Sequence, residues 1–389
     1  MTDLNDYLDP VSIEKPEFEH LEGPAVFSHN LAINTESNPL KDPWKYKIAL
    51  IGVPEGRNTP NTGCEKGPDI IRRRLYNLAR VPGKIRAADL GNIKTGAAFG
   101  DTVSGLAYVM YHLISAGTIP VIIGGSSVLS LAFEKCFSEL GKKYTLASID
   151  SRIDFSPYRE EIDSRNYLNK IIYGNKSSIG HFVNIGYQTY LNDYQSLNRL
   201  AKRKAELIRI GDARESLHLT EPLLRDSDAI IFDIAAVRQS DAPGTKFPSP
   251  NGFYGEEICL LARYAGISDT LKVFGLFEVN PDLDNNFQTS GLAAQILWFF
   301  IEGSGQKQYE ADYLYDQTSG RFTRFHVKVA DMEDDMIFVR SNITDRWWME
   351  IITRTGKVMY ASCSHEDYLL ANRNEIPDRW FRAVEKFNS

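Results

Sequence analysis

Between residues 47 and 303, short β-branched apolar runs alternate with longer stretches of helical periodicity, a pattern that predicts repeated β/α units around a parallel sheet. Eight runs have strand character: 47–53 (KIALIGV), 85–90, 119–123 (IPVII), 144–150 (YTLASID), 183–188, 206–211, 229–234 (AIIFDI) and 271–278 (LKVFGLFE). Helices are predicted at 67–79, 101–116, 127–140, 191–203, 215–226, 255–266 and 289–303. Pro68 falls in the first turn of the first helix, where its missing N–H costs nothing, and Gly303 closes the last.

From about residue 305 the texture changes to alternating segments at 322–329, 336–340 and 347–352, a turn at Thr355-Gly356 and a final helix near 377–387. This divides the chain into an N-terminal arm (1–44) without clear period, an α/β domain (45–304) and a small α+β extension (305–389). Trp347, Trp348, Tyr360, Tyr368, Trp380 and Phe381 make the extension rich in residues that anchor interfaces, although such side chains more often pack inward and seal a small sheet. A protein partner docking on them is therefore the second expectation and inward packing the first.

With 389 residues, 43% hydrophobic, the chain can bury a large core, and its net charge of −7 argues against nucleic acid or an anionic membrane as a general partner. The first residues lack a basic segment followed by an apolar one, and the longest apolar run, 292–301, is about half a bilayer span, so a cytoplasmic protein is expected. Cys64, Cys136, Cys259 and Cys363 stand singly and are read as reduced, buried thiols.

In parallel α/β sheets, chemistry collects where strands end. Four ends stand out: Gly124-Gly125-Ser126-Ser127; Asp150-Ser151-Arg152-Ile153-Asp154; Asp233-Ile234-Ala235 with the loop 241–245; and Glu278-Val279-Asn280-Pro281. Earlier blocks are Gly52-Val53-Pro54 with Gly63, Gly67-Pro68-Asp69-Ile70-Ile71-Arg72, and Asp89-Leu90-Gly91-Asn92. In this order and spacing they resemble the ureohydrolase superfamily of arginase, agmatinase and formimidoylglutamase, over about residues 45–303. With its Trp-Trp extension the chain also looks like a group of formimidoylglutamase-like proteins of Bacteroidetes type.

The resemblance implies an arginase-like three-layer α/β/α sandwich with a parallel sheet of about eight strands. It also implies a site of two manganese ions bridged by carboxylates, each capped by a histidine, with metal-activated hydroxide attacking a guanidino or formimino carbon. Three of the six ligand positions keep their residue, namely Asp150, Asp154 and Asp233; three are substituted, the histidines by Ser127 and Arg152 and an aspartate by Ala235. None of the seven histidines lies in a metal motif; His181 reads as the start of a strand, and His20, His29, His112, His218, His326 and His365 fall elsewhere. Glu278 matches the glutamate that pairs with the substrate's cationic end.

No dinuclear centre, and so no bound metal, is expected. Arg152 is expected to bring its guanidinium into the vacated second metal position, where it would answer carboxylates that otherwise raise one another's pKa. Three further readings stay open. The aspartates could simply cap strand ends; Asp150, Asp154 and Asp233 could hold one Mn2+ or Mg2+; or Gly124–Ser127 could form an anion pocket. The expected role is a non-catalytic binding or scaffold protein, homo-oligomeric, and the alternative is a hydrolase of C–N bonds in linear amidines that uses a single residual metal.

Overall fold

The computed structural model describes residues 4–12, 21, 23–83, 85–316, 318–330 and 332–388; His20 and part of the N-terminal arm lie outside them. Ten strands form the main sheet: β1 (Leu8–Asp9), β2 (Leu31–Ile33), β3 (Ile48–Val53), β4 (Ala87–Ile93), β5 (Ile119–Gly124), β6 (Tyr144–Ile149), β7 (Ile179–Tyr187), β8 (Glu206–Arg209), β9 (Ala229–Asp233) and β10 (Val273–Phe277). The order is β1-β4-β3-β5-β10-β9-β6-β7-β8, with β2 also on β4, and every pairing except β1–β4 is parallel.

Helices cover both faces. On one lie α1 (Gly67–Tyr76), α6 (Ile210–Glu215), α7 (Glu221–Arg225), α8 (Gly255–Gly266) and α9 (Gln288–Ser304); on the other α2 (Phe99–Ser115), α3 (Leu131–Glu139), α4 (Leu168–Tyr173) and α5 (Tyr194–Lys202). β3 shows why its sequence is apolar throughout. Ile48 and Leu50 enter the first layer while Ala49, Ile51 and Val53 enter the second, so a strand buried on both sides needs no polar alternation.

The count of about eight strands becomes ten because the arm supplies β1 and β2, which pair with β4 and bury Leu8 and Leu31 in the two layers. Gly91, at φ +92°, makes room for this addition: a Cβ there would meet the Asp9 carbonyl at 2.0 Å. The helix expected at 215–226 is broken into a 3-10 turn (Leu217–Thr220) and α7, whose first turn holds Pro222.

The extension forms an antiparallel meander of β11 (Phe322–Val327), β12 (Met336–Ser341), β13 (Trp347–Ile352) and β14 (Val358–Cys363), followed by α10 (His365–Asn372) and α11 (Asp378–Phe387). Trp347 and Trp348 are 6% and 3% exposed, so the inward packing holds for both. Trp347 stacks with Tyr368 and His365, whereas Trp348, on the opposite face, lies under Arg225 of α7 at 4.5 Å. Arg225 also donates to the carbonyls of Trp347 (3.1 Å) and Cys363 (3.2 Å), which ties the small sheet to the main unit. Among the described residues no helix is long and apolar enough to cross a membrane, and all four cysteines are free and buried.

Candidate metal and substrate site

The sheet order explains the cluster. Adjacent parallel strands β5, β10, β9 and β6 all deliver their carboxyl ends to one crevice, so Ser127, Glu278, Asp233 and Asp150 meet there although far apart in sequence. Asp154 joins them from the loop after β6. One oxygen from each of Asp150, Asp154 and Asp233 falls within 4.8 Å of the others, and all three residues are buried. They line a cavity of about 400 Å3 together with Glu278, Ser127, Arg152 and Ala235, so the positions singled out from sequence are brought to one place.

The carboxylates find little compensation. Asp150 accepts the Arg152 N–H (3.0 Å) and Asp233 the Ala235 N–H (2.8 Å), while no hydrogen bond reaches the Asp154 carboxylate among the described residues. Burial first, and the Glu278 charge after it, push Asp150 up to about 7 against the opposing Arg152 N–H and charge. Burial and the charges of Asp150 and Asp233 hold Asp154 well above the usual carboxylate range, and burial with Asp150 and Glu278 does the same for Asp233.

Arg152 departs from expectation. It forms no ion pair with these aspartates; its guanidinium lies over the Phe247 ring, 4.7 Å from the centroid, and acts on them only as a nearby field. The aromatic face holds the cation out of ion-pairing reach of the cluster. Sequence reasoning missed Phe247, because nothing in its loop marks it as a partner of a residue some 95 positions earlier.

The donors of Gly124–Ser127 do grip an anion, but it is the chain's own. Glu278 Oε1 accepts from Ser126 Oγ (2.9 Å), Ser127 N (2.8 Å) and Ser127 Oγ (3.2 Å), and Oε2 from Asn61 Nδ2 (2.8 Å). The anion pocket expected there is thus filled by Glu278. Burial still raises the Glu278 pKa despite those bonds, and its backbone sits at φ +67°, a left-handed conformation that costs a non-glycine residue about 1–3 kcal/mol. Gly125 permits the close packing, since a Cβ on it would meet the Glu55 carbonyl at 2.1 Å. Asn61 was also missed, although it stands two residues before Gly63 of a block already singled out. His181 lies inside β7, buried and 2.8 Å from Glu206, away from the site.

The donor set of Asp150, Asp154 and Asp233 suits one hard divalent cation. It does not suit a second: Ser127 is engaged with Glu278, Arg152 is cationic, and Ala235 offers a methyl group. Fold and site together define an open α/β protein whose acidic centre lies at the carboxyl ends of a parallel sheet. The arginase family model matches residues 46–302, and the chain belongs to that family. It is 25% identical over 283 residues to the formimidoylglutamase of Staphylococcus haemolyticus, covering 66% of this chain and 86% of that one. With the formimidoylglutamase of Bacillus subtilis it shares 24% over 288 residues, again 66% and 86%.

Solved structures of similar fold include the Bacillus subtilis formimidoylglutamase (TM-score 0.66, 18% identity, 76% of this chain and 97% of that one). The Trypanosoma cruzi formiminoglutamase with Mn2+ gives TM-score 0.63 at 19% identity, with 69% and 96% covered. Proclavaminate amidino hydrolase from Streptomyces clavuligerus gives 0.60 at 22%, with 72% and 97% covered.

Proposed function

We propose that the protein is a hydrolase of C–N bonds in linear amidines, of formimidoylglutamase type, working with one divalent cation, Mn2+ or Mg2+, on Asp150, Asp154 and Asp233. The observation that carries this reading is the convergence of three buried carboxylates to within 4.8 Å with no cation among the described residues paired to them. When bound, such an ion polarises the amidine and lowers the pKa of water.

The chain's own residues do the rest. Glu278 is held as a fixed acceptor by Asn61, Ser126 and Ser127, and its Oε2, with a single partner, has capacity left for an amidinium N–H. Arg152, Arg159 and Arg165 also line the cavity, and the last two share Asp163, which favours a substrate whose far end is anionic, a formimino amino acid over agmatine. Incubation with N-formimino-L-glutamate, arginine or agmatine and either metal tests it: formamide or ammonia release from the formimino compound is expected, abolished by EDTA and by Asp154→Asn.

A second reading has its own observation. Ser127, at the position of a lost histidine, spends both its N–H and its hydroxyl on Glu278, as in a pocket closed to chemistry. Release from none of the substrates with either metal would favour this non-catalytic binding or scaffold role. The division at 44 and 304 and a homo-oligomeric state belong to the same proposal and are read by limited proteolysis and light scattering. So does a partner surface on the extension, where Phe381 is 50% exposed.

A further inference from the structure

The opposite end of the sheet carries a second cavity, of about 380 Å3, where β3, β4, β5 and β10 begin and where α9 leads toward the extension. Four cations line it: Lys47 ahead of β3, Arg86 ahead of β4, Lys272 ahead of β10, and Lys307 after α9. Among the described residues none of the four makes an ion pair. The one acid in the lining, Asp269, turns its carboxylate to the backbone, accepting from Tyr309 N (3.1 Å), Glu310 N (2.8 Å) and Ala311 N (3.4 Å) to cap the turn that follows.

Between the cations the wall is apolar, formed by Ile48, Ile114 and Ile119 among others. The turn from α2 into β5 runs through Gly117 at φ +81°, with no atom near the site of its missing Cβ, so the cavity keeps an open side there. A volume of this size is within the range of small-molecule sites. Four like charges around an apolar floor repel one another unless an anion joins them. Lys307 records that strain: burial, then the charges of Lys272, Lys47 and Arg346, outweigh Asp269 and draw its ammonium down to about 8.

We propose that this cavity binds a small organic polyanion, a molecule carrying two or more phosphate groups on an apolar or planar body. Three lysines supply point charges and Arg86 a planar fork, the combination that phosphate oxygens take, while the isoleucines cover the body. Because Lys307 and Tyr309 belong to the segment joining the two sheets, the ligand would also fasten the extension to the main unit.

The full chain, kept in EDTA so that no divalent ion bridges protein and probe, is titrated with ADP by calorimetry at neutral pH and physiological salt. One site per chain is expected, weakened about tenfold or more by Lys272→Glu and by Lys47→Glu. Both side chains are exposed, and unliganded melting curves check that the variants fold. Near pH 8, binding is expected to take up a proton, seen as a dependence of the heat on buffer ionisation, because the anion holds Lys307 charged against Lys47, Lys272, Arg86 and Arg346. Lys307→Met removes that uptake. Asp154→Asn leaves ADP binding unchanged, which separates this site from the carboxylate cavity. No heat up to about 1 mM ADP, binding indifferent to both charge reversals, binding lost in Asp154→Asn, or tighter binding of citrate than of ADP would each overturn the proposal.

Discussion

Buried aspartates within one strand of the sheet and at the ends of others are treated in opposite ways. Asp89, in β4, is wholly buried and wholly answered: Arg72 reaches both its oxygens (2.7 and 3.2 Å), and the Tyr76 hydroxyl (2.8 Å) and Gly91 N–H (3.0 Å) complete the set. Asp150, Asp154 and Asp233 are nearly as buried, yet among the described residues they share two backbone N–H groups and no paired cation. A carboxylate buried for the fold comes with its counter-charge in the same chain, here within the blocks around Arg72 and Asp89. A cluster buried without one is poised for a charge from outside.

The largest effect is expected on the answered side. Arg72→Met leaves Asp89 buried without its cation and should cost about 3–5 kcal/mol in urea unfolding; a loss below about 1 kcal/mol would erase the contrast. A second answered carboxylate gives the pH signature. Burial alone would raise Glu206, but the His181 hydrogen bond and the Arg379 charge overcome it and pull it down to about 2. Its contribution, about 3 kcal/mol, is therefore full above the ordinary glutamate value and lost as pH falls from about 4.5 toward 2. Glu206→Gln should flatten acid unfolding over that window.

The unanswered side should respond with the opposite sign. Asp154→Asn removes one of three mutually repelling carboxylates, so in EDTA at pH 8 it should stabilise the protein by about 1–2 kcal/mol, measured by urea midpoint. Destabilisation instead would mean that the chain already compensates the cluster. Smallest is Phe247→Ala: without the ring, worth about 0.5–1 kcal/mol to the cation, Arg152 is free to turn to the aspartates and Mn2+ should bind about three- to fivefold less tightly.

Strands such as Ile48–Val53 and Ala229–Asp233 were legible because burial on both faces forces an uninterrupted apolar run. β1 and β2 were not, because strands of two and three residues are too short to show a period. The six-residue α4 and the strand β14 beyond the Thr355-Gly356 turn were missed for the same want of length or pattern. In the site, the aspartates were legible from their place at strand ends. The resting place of Arg152 and the donors on Glu278 depend on Phe247 and Asn61, which only the folded chain brings near.

Manganese stoichiometry of the EDTA-stripped protein, read by calorimetry, tests the central claim most directly. One ion per chain is expected, lost in Asp233→Asn and raised to two when Ser127→His, Arg152→His and Ala235→Asp are combined. No ion bound at about 1 mM Mn2+, or two ions in the unaltered chain, would contradict it.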